Sequence, residues 1–240
     1  MSLHYYPFVN RMIKLSGLRK TVSVSNSQIH KALFEKPFIT VSREPGSGGA
    51  LIAQKVAEKL GFELIDKQII EQIAKSTRKR KIIIRGIDEK ARTSIEDLVH
   101  SFLNRDYVSD YKYIVELSKV ILTYAHKGHV VILGRGANFI TPDSKGLHVR
   151  ITAPVEIRRI RAIKFDNLTA REARENIYKR EKDRVNFIKR YFKKDAKRSS
   201  YYDLVVNTAY LNLDDAADLI VEAFYKKFSK AERYLGLFKG

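Results

Sequence analysis

The chain has 240 residues, 44% hydrophobic and 30% charged, which suits one full α/β domain with a modest extension. It has no cysteine, so structural disulfides and cysteine-ligated zinc are excluded; its six histidines are scattered, which argues against a His-rich metal site. The formal net charge of +19 points to a polyanion (nucleotide phosphates, nucleic acid or acidic lipid), or to a surface that simply repels itself, and charge alone does not choose.

Residues 1–37 show no sustained period, and "TVSVSNSQ" is Ser-rich and turn-like, so this segment reads as an N-terminal extension, flexible or loosely packed. Polar residues interrupt "MSLHYYPFVNRMIKLSGLRK" too often for a secretory core, and no apolar run reaches the roughly 18 residues that span a bilayer. A cytoplasmic protein is the default expectation. From Phe38 the pattern changes. "FITVS" reads as a buried strand, Gly46, Gly48 and Gly49 break it, and Ile52, Val56 and Leu60 recur at helical spacing with Gly61 as the stop. "FELID" is a second strand and "KQIIEQIAK" a helix. "STRKRKIIIRGIDEKART" reads as a charged connector with a brief extended piece at Ile82 to Ile84. Thr93 with Glu96 predicts a capping box for a helix at "SIEDLVHSFL". A longer helix covers about Asp110 to His126, with Ile114, Leu117, Ile121 and Tyr124 on one face, and Gly128 ends it.

"HVVILG" is the most apolar strand and runs into "RGANF"; "LHVRIT" is the next, followed by Pro154 in the first turn of a helix. Thr169 and Glu172 predict a capping box for a long basic helix, "AREARENIYKREKDRVNFIKRYFKK". Its Tyr178, Phe187, Tyr191 and Phe192 read as packing residues rather than a platform for bases. "YDLVVNT" is a last strand and "LDDAADLIVEAFYKKF" a closing helix. Five apolar strands alternating with helices predict a parallel sheet covered on both faces, with ligands at the carboxyl ends of the strands. The glycine-rich turn after "FITVS" and the "GRGAN" turn after "HVVILG" then share that edge.

A glycine-rich turn leading into a helix aims backbone N–H groups and the helix dipole at one point, which suits a phosphate. Set against the pattern G-x-x-x-x-G-K-[ST], Gly46 and Gly48 are loop glycines. Arg43 falls at the first Gly, Gly49 at the Lys and Ala50 at the Ser/Thr. A tight turn with no ligand is the competing reading. Taken in order, "SREPGSGG", "ELIDK", "IDEK", "GRGAN", "HVRITAP" and "YDLVVNT", spread over about residues 38–228, resemble the cytidylate kinase-like family of P-loop nucleoside monophosphate kinases. Its members often carry a basic residue directly after "GSGG", where this chain has Ala50. The resemblance implies a P-loop NTPase-like three-layer α/β sandwich with a five-stranded parallel sheet, occupying residues 38–230. It also implies a helical basic lid at about 156–198, with residues 231–240 as a tail.

The resemblance implies an ATP site at Gly46, Ser47, Gly48, Gly49, Ala50 and Leu51, with Mg²⁺ carried on the phosphates and no metal ligand from the protein. Phosphoryl transfer needs positioning and positive charge, so arginines must replace the missing lysine. Arg135 rises from the ligand edge and takes the acceptor phosphate by resemblance, unless it pairs with Asp66 or Glu44. Asn138 faces a base or ribose. Arg43 reaches donor or acceptor, and Glu44 points away from the phosphates, toward a lid arginine. Asp66 orients the acceptor or helps hold Mg²⁺, unless it is a helix N-cap. Arg180 and Arg184 share a helix face, with Asp183 between them in an "REKDR" run that resembles the lid of cytidylate kinases, and Arg158 and Arg161 complete the cluster. The competing reading is a solvated basic face. Asn207 lies near the adenine by resemblance, or is a turn residue.

The first reading is therefore ATP-dependent phosphoryl transfer to a nucleoside monophosphate or related small acceptor. The second is a catalytically degenerate kinase fold that binds nucleotide or nucleic acid through its basic surface. A third, resting only on the basic N-terminal segment, is contact with an acidic membrane. The sequence leaves the acceptor and the oligomeric state open.

Overall fold

The computed structural model describes residues 33–103, 110–143 and 145–234. Five strands form one sheet: β1 (Phe38–Arg43), β2 (Glu63–Ile65), β3 (Val130–Leu133), β4 (Gly146–Thr152) and β5 (Leu204–Asn207). Their order is β2-β3-β1-β4-β5, and every pairing is parallel. Alternate residues of a strand face opposite sides of a sheet, and here both sides are buried. Phe38, Ile65, Val130 and Ile132 enter one core, while Ile39, Val41, Val131 and Val149 enter the other. This is why the strands read as continuous apolar runs.

The first core is closed by α2 (Lys67–Lys75), α4 (Glu89–Phe102) and α5 (Tyr111–Lys127) through Ile70, Ile73, Ile95, Val99, Leu117 and Ile121. The second is closed by α1 (Gly49–Leu60) and α9 (Leu213–Tyr234) through Ile52, Val56, Ala217, Ile220 and Phe224. The result is the predicted three-layer α/β sandwich with a five-stranded parallel sheet. Leu33 and Phe34, assigned by the sequence to the loose extension, are buried in the first core, with the Phe34 ring 6.2 Å from that of Phe38. The rest of the predicted extension, residues 1–32, lies outside the described residues. So do 235–240 of the predicted tail; α9 itself runs through to Tyr234.

Two local expectations are corrected. Ile82 to Ile84 are helical, within α3 (Thr77–Arg85), whose N-cap Ser76 accepts from the Lys79 N–H. Ile83 packs against the first core while Ile82 is 63% exposed. A helix lets one isoleucine dock without burying its basic neighbours, which a strand between the same anchors does not. The next helix, α4, starts at Glu89 rather than near Thr93, because Asp88 caps it and accepts from the Ala91 N–H at 2.8 Å. Thr93 is inside the helix, and its hydroxyl donates to the Glu89 carbonyl.

Beyond the short α6 (Ala137–Ile140), α7 (Val155–Asp166) and α8 (Ala170–Phe192) form a helical hairpin. The predicted capping box is present: the Thr169 N–H donates to the Glu172 carboxylate and the Glu172 N–H to the Thr169 hydroxyl. Ala162, Ala173 and Ile177 give the hairpin its own small core. The C-terminal half of α8 returns to the body, where Phe187, Tyr191 and Phe192 pack on the first core as expected; Tyr178 stays 68% exposed.

Candidate active site

The glycine loop lies between the carboxyl end of β1 and the start of α1. Gly46 and Gly48 have φ of +77° and +78°, the left-handed region that glycine enters without a Cβ penalty. Gly48 is the N-cap of α1 and supplies no side chain, so the first N–H groups of the helix face outward, as at any uncapped helix start. The side chains that shape the loop lie behind it. Ser47 is fully buried and donates to the Glu44 carbonyl at 2.8 Å. The buried Thr208 hydroxyl donates to the Ser47 carbonyl at 2.9 Å.

Glu44 does turn away from the loop. Its carboxylate accepts from Arg150 Nη2 at 2.7 Å, from the Thr152 hydroxyl at 2.6 Å and from the Ala153 N–H at 3.3 Å. Arg158 Nε lies 3.7 Å from it. Arg158 and Arg161, which the sequence groups with the lid cluster, bond to the frame behind the loop. Arg158 is buried beneath Gly46; it donates to the Ala153 carbonyl at 3.0 Å and pairs with Glu181 at 2.9 Å. Arg161 donates to the Thr208 hydroxyl at 2.8 Å and to its carbonyl at 2.6 Å. Through these bonds both brace the loop from behind.

The free positive charge gathers in front. Three consecutive residues, Gly134, Arg135 and Gly136, have φ of +86°, +55° and +67°. For Arg135 this is a strained conformation, and it raises the side chain from the end of β3. The guanidinium pairs with Glu71 of α2, not with Asp66 or Glu44, and stacks 4.9 Å from the Phe187 ring centroid of α8. Arg135 Nε and Asn138 Nδ2 are both buried with no protein hydrogen-bond partner. Unsatisfied buried donors are rare in folded proteins, and these two share one turn at the ligand edge.

Arg184 reaches across from α8 and donates to the Arg43 carbonyl at 2.8 Å. Burial, then the neighbouring Arg180 and Arg135 charges, bring its pKa down to about 10. Burial, then Arg184 and Arg135, bring Arg43 down to about 9, with Asp66 opposing only in part. Cations held together at this cost suit an anion that would neutralise them. Arg180, one turn before Arg184 on α8, and Asp183 are both exposed. Asp66 is the N-cap of α2 and accepts from the Ile69 N–H at 2.8 Å, its competing reading, while keeping its place beside Arg43. Asn207 is the turn residue, its side-chain Oδ1 accepting from the Ala209 N–H at 3.0 Å.

Sequence reasoning missed Glu71, Phe187 as an aromatic platform for Arg135, and Glu181 as the anchor of α8. None lies near the loops in sequence; only the capped start of α2 and the return of α8 bring them in. The surroundings fit nucleotide phosphates: a glycine cradle, outward N–H groups and three half-buried guanidiniums. They do not fit a metal held by protein alone. Ala50 offers no hydroxyl, Ser47 is turned back, and among the described residues no three His, Asp or Glu side chains converge.

A solved structure of an uncharacterized protein from Eubacterium ventriosum superposes with a TM-score of 0.63 at 20% identity, covering 80% of this chain and 99% of the other. The cytidylate kinase of Sulfolobus acidocaldarius is 26% identical over 189 residues, 79% of this chain and 94% of that protein. That of Methanopyrus kandleri is 28% identical over 196 residues, 77% and 91% respectively. Residues 38–210, which hold both loops, all five strands and the arginine hairpin, match the model of the cytidylate kinase-like family, and the chain belongs to that family.

Proposed function

We propose that this protein transfers a phosphoryl group from ATP to a nucleoside monophosphate or related small acceptor, with CMP and dCMP as the first candidates. The observation that carries the reading is the meeting of the outward N–H groups of the glycine loop with Arg43, Arg135 and Arg184 at one sheet edge. Gly46 to Leu51 cradle the donor phosphates. Arg135 holds the acceptor phosphate, and Asn138 addresses the acceptor's base or ribose. Arg184 and Arg180 bring lid charge to the equatorial oxygens, while Arg158 and Arg161 keep the loop in shape. Mg²⁺ enters on the donor phosphates and neutralises their charge. Such an arrangement contributes positioning and electrostatic stabilisation, the main demands of phosphoryl transfer.

The test is ADP formation by purified protein with Mg²⁺, ATP and each of CMP, dCMP, UMP, AMP and GMP. Saturable transfer to at least one acceptor is expected. No transfer to any, together with no ATP-induced thermal shift, refutes the reading. One observation favours a second reading, binding without catalysis: neither Ala50 nor the inward-turned Ser47 offers a hydroxyl to the metal on the phosphates. In that case ATP raises the melting temperature and no ADP appears. If nucleic acid is the bound polyanion, its affinity falls steeply with salt.

A further inference from the structure

The loop has lost its lysine, and the structure shows what stands in the way of one. Gly49, at the lysine position of G-x-x-x-x-G-K-[ST], has no positive φ; it is the first residue of α1, where any side chain fits the backbone. It must be glycine for lack of space. A Cβ built there lies 2.5 Å from Arg43 Cβ and 3.0 Å from Arg43 Cγ, closer than carbon atoms pack. Arg43 occupies the first glycine of the same pattern. The two positions face each other across the mouth of the loop, so one of them can carry a side chain and the other must be bare. The pattern bares the first and charges the last; this chain does the reverse.

From there the Arg43 side chain reaches Gly134, where a Cβ would lie only 2.0 Å from Nη1. The guanidinium therefore ends between the donor cradle and the Gly134–Gly136 turn that carries Arg135. Its side chain makes no hydrogen bond or ion pair among the described residues, unlike those of Arg150, Arg158 and Arg161. We propose that Arg43 is the surrogate for the P-loop lysine: its guanidinium holds the donor's terminal phosphates, and Gly49 is the bare partner that this exchange requires. The inference rests on the ATP reading above and specifies which arginine carries the donor.

The reciprocal pair provides the test. Mg·ATP and CMP binding are measured by calorimetry on wild type, R43G, R43M, G49K and the double variant R43G/G49K, with circular dichroism to establish folding. Losing a charge-assisted phosphate contact weakens ATP binding roughly tenfold or more in R43G and R43M, with CMP affected less. R43M keeps the aliphatic stem over Gly49 and decides the point should R43G not fold. G49K alone does not bind ATP more tightly than wild type, because Arg43 still fills the space. The folded double variant, restored to the Gly…Gly-Lys pattern, recovers most of the lost affinity. ATP affinity unchanged in both R43G and R43M overturns the inference, and so does a loss confined to CMP. A folded double variant no better than R43G overturns the exchange. Wild type that binds no ATP refutes the ATP reading itself, a result distinct from all of these.

Discussion

Replacing Glu44 by alanine separates a structural carboxylate from a catalytic one. Glu44 follows the strand that feeds the phosphate loop, yet its side chain is only 14% exposed and accepts from Arg150, Thr152 and the Ala153 N–H. The side chains of Arg150 and Arg158 are 9% and 7% exposed. Removing one partner of a buried ion pair costs about 3–5 kcal/mol, because the other charge is left in a poorly solvated place. Here the loss is tempered: Arg158 keeps Glu181, and Arg150 keeps the Ala196 carbonyl and the Tyr202 ring. We therefore expect about 3 kcal/mol, at the lower end of that range. For a domain of this size each kcal/mol moves the melting temperature by about 2–4 °C, so E44A melts roughly 6–12 °C below wild type. E44Q, which still accepts from Thr152 and Ala153, loses roughly half of that. The assay is thermal denaturation followed by circular dichroism, alongside ATP binding at a temperature where both variants are folded. An unchanged melting temperature with abolished ATP binding refutes the reasoning and turns Glu44 toward the ligand.

Arg135→Ala removes a charge-assisted contact to the acceptor phosphate and lowers kcat/KM for the acceptor by roughly 10- to 100-fold, at about 1.5–3 kcal/mol for such a bond. Arg135→Lys recovers only part of it, since an ammonium neither forks between phosphate and Glu71 nor stacks on Phe187; full recovery shows that charge alone suffices. Gly46→Ala destabilises by roughly 2–4 kcal/mol in denaturant melts, combining left-handed strain with overpacking. The added Cβ would meet the Arg158 carbonyl at 2.7 Å. Because Arg43 and Arg184 are held together against burial and mutual repulsion, ATP stabilises the fold by RT ln(1 + [L]/Kd), about 2.7 kcal/mol at a hundredfold excess over Kd. Inorganic pyrophosphate gives a smaller shift in the same direction, and no shift with either ligand refutes the anion site. Burial opposes ionisation of Glu181, but Arg158 and Lys197 outweigh it and hold the carboxyl below the ordinary glutamate range. Its contribution is therefore present above about pH 4.3 and lost as pH falls through the lower folded value, so E181Q loses less stability than wild type over that acid window.

The strands were legible because a parallel sheet buried on both faces demands apolar runs, and α1, α2, α5 and α8 because their glycine stops, caps and periodicity agree. The start of α4 was misplaced because Thr93 imitates a cap that Asp88 supplies one turn earlier. The isoleucines of α3 were misread because three adjacent β-branched residues resemble a strand until the core shows which one docks. The position of Gly46, Gly48, Arg43 and Arg135 at the carboxyl edge of the sheet was legible, since each lies at or just after the end of a strand.

What the sequence by itself determined is the alternation of strands and helices, the two loops that share an edge, and the excess of arginine around them. Local pattern and chain order carry that much. It did not say which arginines are free. Arg158, Arg161 and Arg184 look alike in a list of residues, and only packing decides that the first two bond to Glu181 and Thr208 while the third reaches the Arg43 carbonyl at the end of β1. The same holds for the missing lysine. Whether Gly49 is a defect or a counterpart depends on which side chain lies across from it, and that distance exists only in three dimensions.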